Sequence, residues 1–395
     1  MIESSLSRRA FLSSSALVSA ATLSAAAGIK PGDLPDLTIK EVKAHITTDD
    51  GDGLACVVTQ SGIEGNYTLR RRYWHPNWSN QGWVEFSKQL LIGKNALDRA
   101  SLTSQWAPVE RRRGQSSYAT AIDNCLWDIL GKAVGLPVYQ ILGAYRHRVL
   151  ASASSQHMHT VEEFVESVRK SKAEGFKAYK IHPPQLPPDG SSDYKLDMEV
   201  AKAVRQTAGD DFTLLMDSVG NYSRREALAV GRLLDELHFV AFEDPLPTTD
   251  IDGLVELASA VDVPLHVGEF LFSIYDYPEY IRRGAVDVVR FVVDNVGGIT
   301  AGMKIAHLAE CFGMECVPHN WGDTLEQAVH FHCELAAPNA LFYEMTIPQG
   351  VQDRAYIKDP IRIAPDGYVD APTKPGLGYE IDRDALAKAT KRIES

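Results

Sequence analysis

Beyond residue 36 the apolar positions first recur with a period of two. Leu37-Thr38-Ile39-Lys40-Glu41-Val42-Lys43-Ala44-His45-Ile46 alternates, and so does Leu54-Ala55-Cys56-Val57-Val58-Thr59. Two such runs separated by Asp49-Asp50-Gly51-Asp52-Gly53 predict a β-hairpin. The acidic segment has Leu54 where a calcium loop needs a third Asp, and no closing Glu, so it reads as a turn. Over residues 83–142 the period lengthens to that of helices. Residues 118–134 keep Ala121, Ile122, Cys125, Leu126, Ile129, Leu130 and Ala133 three and four apart, until Gly135-Leu136-Pro137 interrupts and a short helix runs to Gly143. Residues 36 to about 148 therefore form an α+β unit.

After Arg148 the rhythm becomes short apolar run, then amphipathic stretch, repeatedly. Strands are predicted over 149–155 and 177–182, with helices over 160–174 and 196–208. Three more strands end at Asp217, Glu243 and Glu269. The remaining strands fall at 287–294, 315–319 and 341–345, the last two separated by a helix over 325–336. Eight strands alternating with helices predict a parallel barrel. From Gly350 the alternation stops, and the tail is expected to fold back over the N-terminal unit.

The spacing of the three acids gives that barrel a chemistry. Asp217, Glu243 and Glu269 are 26 residues apart, one βα repeat each, and each closes an apolar run. They should therefore meet at the C-terminal ends of neighbouring strands, the end of such a barrel where chemistry is done. Converging carboxylates repel one another unless a hard cation lies between them, and Mg²⁺ takes oxygen ligands at about 2.0–2.1 Å with positions left for water or substrate. Taken singly, each acid could equally cap the helix that follows it. Lys180-Ile181-His182 closes the strand before Asp217, and period-two geometry puts Lys180 and His182 on one face. His319 ends the seventh strand, across the barrel. Bases facing each other across a cation suit removal of a proton beside a carboxylate, with Lys180 and the cation offsetting the charge that develops. His157 and His159, just after the first strand, line the pocket at most; His330 and His332 point to different faces of a helix, and His266 should face away from Glu269.

Composition narrows the partners. The chain has 395 residues, 45% hydrophobic and 23% charged, and a formal charge of −12. That balance speaks against nucleic acid and anionic membranes, so an anionic small-molecule substrate must be held by local cations. The basic, aromatic stretch Arg70-Arg71-Arg72-Tyr73-Trp74-His75-Pro76-Asn77-Trp78 accordingly reads as a loop offering Arg to a substrate carboxylate, or as plain surface. Ser7-Arg8-Arg9-Ala10-Phe11-Leu12, then a Ser/Ala-rich run to Ala27, resembles a twin-arginine export signal; residues 1–27 are set aside from the fold, and a folded periplasmic protein without a membrane span is expected. The cysteines at 56, 125, 311, 316 and 333 follow no framework and read as small buried hydrophobes.

Together these residues resemble the mandelate racemase subgroup of the enolase superfamily. The resemblance rests on Asp217, Glu243-Asp244-Pro245, Glu269, Gly297-Gly298-Ile299-Thr300, His319 and Glu344, and covers the chain from about residue 36. It implies a (β/α)7β TIM-type barrel over residues 149–349 and an α+β capping domain over 36–148, completed by residues 350–395. It further implies Mg²⁺ on the three acids, Glu344 against the substrate carboxylate, specificity set by capping loops such as residues 67–78, and a homo-oligomer. Two departures stand out. Lys180 is followed by His182 where the family has a second Lys, so His182, with Lys180 in the electrophilic role, is the expected base on that face, and Lys180 itself is the alternative. The Asp that pairs with the seventh-strand His falls at Val292, leaving Asp294 as its only nearby substitute. Racemisation needs two symmetric bases, whereas dehydration needs one base and one acid. The expectation is a sugar-acid dehydratase; a racemase or epimerase, or a binding protein that has lost the chemistry, are the alternatives.

Overall fold

The structure, a computed structural model, describes residues 34–70, 79–105, 117–184 and 193–395. The export-type leader and Arg71–Trp78 of the basic, aromatic stretch lie outside the described residues. β1 (Ile39–Ile46) and β2 (Gly53–Thr59) form the expected antiparallel hairpin, turned at Gly51 with φ +97°. β3 (Glu64–Leu69), which the sequence pattern did not suggest, extends the sheet beyond β2. Its Gly65-Asn66 start dilutes the alternation that marks a strand. Helices Asn80–Leu91, Arg99–Ser104, Ser117–Val134 and Val138–Leu142 follow.

β4 (Arg148–Ser154), β5 (Ala178–Ile181), β6 (Thr213–Asp217), β7 (Ala241–Glu243), β8 (Leu265–Val267), β9 (Val288–Phe291), β10 (Glu315–Pro318) and β11 (Tyr343–Thr346) are all parallel, in the order β10-β9-β8-β7-β6-β5-β4-β11. A parallel bridge between Cys316 and Ala340 joins the two ends and closes the barrel. The strands are buried on both faces, as a barrel wrapped by helices requires. Helices Val161–Glu174, Arg224–Glu236 and Thr324–Ala336 start on the side-chain caps Thr160, Ser223 and Asp323, each paired with a Glu three residues on. The C-terminal segment adds β12 (Ile357–Lys358), β13 (Tyr368–Asp370) against β4, β14 (Glu380–Ile381) and β15 (Arg392–Glu394), which pairs with β1. No helix among the described residues is long and apolar enough to cross a membrane.

Two predicted features change. The run 287–294 is not one strand: β9 stops at Phe291, and Val293–Val296 is a helical turn. Asp294 thus does not sit two places along the same strand face. Cys311 is exposed at a helix end, unlike the four buried cysteines.

Gly297-Gly298 docks the N-terminal unit onto the barrel. Gly298 has φ +95°, and a Cβ there would lie 2.5 Å from the Asp123 carboxylate, so only glycine lets the helix Ile299–Cys311 start against helix Ser117–Val134. Asp123 accepts the Thr300 N–H at 2.9 Å and its hydroxyl at 2.6 Å, while Asn124 accepts from Ile299. Burial pushes the Asp123 carboxyl up to about 6 despite those bonds. A folded-state value above the unfolded one binds protons preferentially in the native state, so its stabilising share is full below about pH 4 and is lost as pH rises through about 6. We expect the stability of the wild type, relative to Asp123→Asn, to fall by roughly 2–3 kcal/mol between about pH 4 and about pH 7 and then level off. Urea unfolding across that range checks it; a constant difference would refute it.

Candidate active site

The strand ends of the barrel converge on a closely packed set of charges. Lys180, on β5, places Nζ 3.1 Å from Asp217 Oδ2, 3.0 Å from Glu243 Oε2 and 2.5 Å from Glu344 Oε1. Asp217 closes β6 and its Oδ1 accepts the Val219 N–H. Glu243 closes β7. Glu269 lies two residues beyond β8, after Gly268 (φ +140°), where any Cβ would strike the Arg290 carbonyl at 2.1 Å. Sequence periodicity placed Glu269 on the strand itself; the glycine instead turns the chain so that the acid swings toward its two partners. Asp217, Glu243 and Glu269 each offer an oxygen within 4.8 Å of the others.

Arg290, a residue the sequence reading overlooked, fills the barrel between β7 and β11. It is 1% exposed, lies 2.8 Å from both Glu243 Oε1 and Glu344 Oε2, and donates to His319 Nδ1 at 3.2 Å. An arginine within an otherwise apolar four-residue strand is the signal that could have found it, because a guanidinium so placed must have buried carboxylates to meet. Glu344 is saturated: Ser154 and Lys180 reach Oε1, while Arg290 and the Asn320 N–H reach Oε2.

The two histidines differ in their surroundings. His182 follows β5 and is 3% exposed, with Nε2 3.1 Å from Asp217 Oδ2. A carboxylate only accepts, so Nε2 carries the proton and Nδ1 keeps its lone pair, which has no hydrogen-bond partner. Burial lowers its pKa, against the pull of Asp217. His319 follows β10. Guanidinium only donates, so Arg290 leaves Nδ1 bare and the neutral ring's proton on Nε2. Burial holds His319 well below the usual imidazole range. The carboxylates nearest its Nδ1 are Glu269 at 3.3 Å, Glu344 at 3.5 Å and Glu243 at 3.7 Å. Asp294, the sequence candidate for its partner, instead accepts a 2.7 Å hydrogen bond from Tyr67.

Five carboxyl groups, counting the buried Asp244, thus face two cations, Lys180 and Arg290. Glu243, Glu344 and Asp217 lift both cations above their ordinary values despite burial. Burial would raise Asp217 too, but Lys180 and His182 hold it well below the carboxylate range. Glu269 is pushed well up, by burial and then by Asp217 and Asp244; Asp244 rises to about 7, by burial and then by Asp217. The surplus negative charge sits on the Asp217–Glu243–Glu269 face, whose hard oxygens suit a divalent cation. Glu243, His319 and Glu344 also lie within 4.8 Å of one another, but Lys180 and Arg290 already neutralise that side. Of the other histidines, His330 accepts from the Val293 N–H and His332 from that of Tyr139, so both are structural. His266 is buried within β8, and His159 is exposed.

The comparisons with known proteins follow this geometry. Residues 163–385 match the family model described as "Enolase C-terminal domain-like". The chain belongs to the enolase superfamily. An arabinonate dehydratase of Saccharolobus solfataricus is 30% identical over 276 residues, 69% of this chain and 71% of that protein. An L-talarate/galactarate dehydratase of Salmonella typhimurium is 31% identical over 295 residues, 72% of this chain and 70% of that protein. Among solved structures, a D-glucarate dehydratase from Agrobacterium tumefaciens complexed with magnesium superposes with a TM-score of 0.79 at 27% identity, covering 91% of this chain and all of that one. The superfamily's TIM-type barrel with an N-terminal capping domain is the architecture described above.

Arg290 is the element of this site most open to a stability measurement. Removing it in Arg290→Met strands Glu243 and Glu344 with half their compensation, and should cost about 3–5 kcal/mol in metal-free protein. Chemical unfolding monitored by circular dichroism checks this; a loss below about 1 kcal/mol would show that the carboxyls simply protonate at no expense.

Proposed function

We propose that the protein is a Mg²⁺-dependent dehydratase of a sugar acid, an aldonate or aldarate. The observation that carries the reading is the convergence of Asp217, Glu243 and Glu269 between two unlike histidines. The dehydratase names of its relatives support the reaction class. Asp217, Glu243 and Glu269 would hold the cation, which supplies positive charge beside the substrate carboxylate and lowers the acidity barrier at the α-carbon.

The chain's own residues divide the remaining work. His182 Nδ1 takes the α-proton, its ring held by the Nε2–H bond to Asp217. Lys180, kept ammonium by three carboxylates, faces the charge that develops as that bond breaks. His319, a neutral imidazole, gives its Nε2 proton to the departing β-hydroxyl, and the Arg290 guanidinium on Nδ1 offsets the negative charge left on its ring, so water leaves and the enol product relaxes to a 2-keto-3-deoxy acid. Arg290 keeps His319 from collecting a proton at Nδ1, which makes it a poor second base. That asymmetry favours elimination over racemisation, where both faces need equivalent bases.

A screen of Mg²⁺-loaded protein against aldonate and aldarate diastereomers in D₂O, following keto acid and α-deuterium together, tests the reading. One compound should yield keto acid, and Glu243→Gln should abolish it. His182→Asn should lose both signals by about 10²–10⁴-fold. His319→Asn should lose keto acid by a similar factor while α-exchange persists. Deuterium exchange with an unchanged carbon skeleton in the wild type would instead make the protein a racemase or epimerase.

A further inference from the structure

Three aromatic rings meet beside Asp217. His182 is flanked by His157, on the loop after β4, with ring centroids 5.3 Å apart and planes at 64°. Trp321, on the loop after β10, approaches the same ring to 4.8 Å at 70°. His157 and Trp321 lie 6.4 Å apart. Edge-to-face packing of this kind holds the His182 ring in place. The flanking rings are nevertheless not buried with it: Trp321 is only half-buried and His157 is exposed.

The tautomer of His157 is fixed. Its Nδ1 lies 3.0 Å from the Pro183 carbonyl, which can only accept, so Nδ1 carries the proton and Nε2 presents a lone pair. Among the described residues no hydrogen bond engages that Nε2. One ring away from the base, the barrel mouth therefore offers an aromatic plate and a ring-nitrogen acceptor. Neither has work to do at the α-carbon.

We propose that His157 and Trp321 form a distal subsite for the hydroxylated tail of the substrate, beyond the carbon from which His182 takes its proton. C–H groups of the tail rest on the indole, and a tail hydroxyl donates to His157 Nε2. This rests on the sugar-acid reading and adds the source of chain-length discrimination to it. A short 2-hydroxy acid such as lactate ends before reaching these rings and gains nothing from them. If the two residues only brace His182, their loss should depress kcat for every substrate alike.

The test uses the full-length, Mg²⁺-loaded protein, with the sugar acid it turns over and lactate as a competitive inhibitor. His157→Phe keeps the ring packing and removes the acceptor; Trp321→Leu removes the plate. Each should raise KM for the sugar acid about tenfold, with a smaller change in kcat, and leave the inhibition constant of lactate unchanged. His157→Gln, which restores an acceptor, should recover part of the loss. Equal weakening of sugar acid and lactate, or a fall in kcat at constant KM, would overturn the subsite. If the wild type takes no sugar acid at all, the functional reading itself falls and the subsite with it, a failure visible before any variant is made.

Discussion

The barrel mouth depends on one electrostatic constraint: five carboxyl groups share a buried volume with two cations. Lys180 lies within 3.1 Å of Asp217, Glu243 and Glu344, Arg290 lies 2.8 Å from Glu243 and Glu344, and neither reaches Glu269 in any described contact. Interactions at that range in a poorly solvated interior are strong in both directions, so the surplus must be neutralised by protons or by a bound cation. The positions of the two cations decide where the surplus lies. They engage Asp217, Glu243 and Glu344 and leave Glu269, beyond β8, without a cationic partner of that kind.

The backbone takes on strain to build this arrangement. Gly268 turns at φ +140° against the Arg290 carbonyl, and Asp244 and Val219 adopt positive φ without being glycine. All three lie within two residues of acids of the site. Conformations of this kind persist only where surrounding structure over-determines them, and here the closed sheet and its helices do so. Asp128 shows the same economy at the other end of the cap. It accepts backbone N–H groups from Asn66 and Leu377 and the ammonium of Lys132, tying β3, its own helix and the C-terminal segment together.

What could be read from residues alone follows from what periodicity encodes. A βα repeat of 26 residues fixes which end of a barrel a strand-final residue occupies, so Asp217, Glu243 and Glu269 were legible as a cluster before any coordinates. Lys180 and His182 were legible for the same reason. Arg290 was not, because it lies mid-strand and its partners come from β7 and β11, far away in sequence. Asp294 was misplaced because an apolar run carries no mark of where a strand gives way to a helical turn. β3 was invisible because Gly65 and Asn66 interrupt the alternation, although a Cβ at Gly65 would strike the Cys125 carbonyl at 2.1 Å.

The departure of this chain from the usual pairing of the seventh-strand histidine follows from the same constraint. With Val at 292, no carboxylate of β9 is available to draw a proton onto His319 Nδ1; Arg290 reaches that nitrogen instead. An arginine at that nitrogen cannot raise the basicity of the imidazole, and burial lowers it further. His182 has the opposite arrangement: Asp217 fixes its Nε2–H and leaves an unsolvated lone pair on Nδ1. The two rings are therefore presented differently: His182 with a bare Nδ1, His319 with its proton on Nε2. That division is built into the residues that orient the rings, Asp217 and Arg290, and not into the rings themselves.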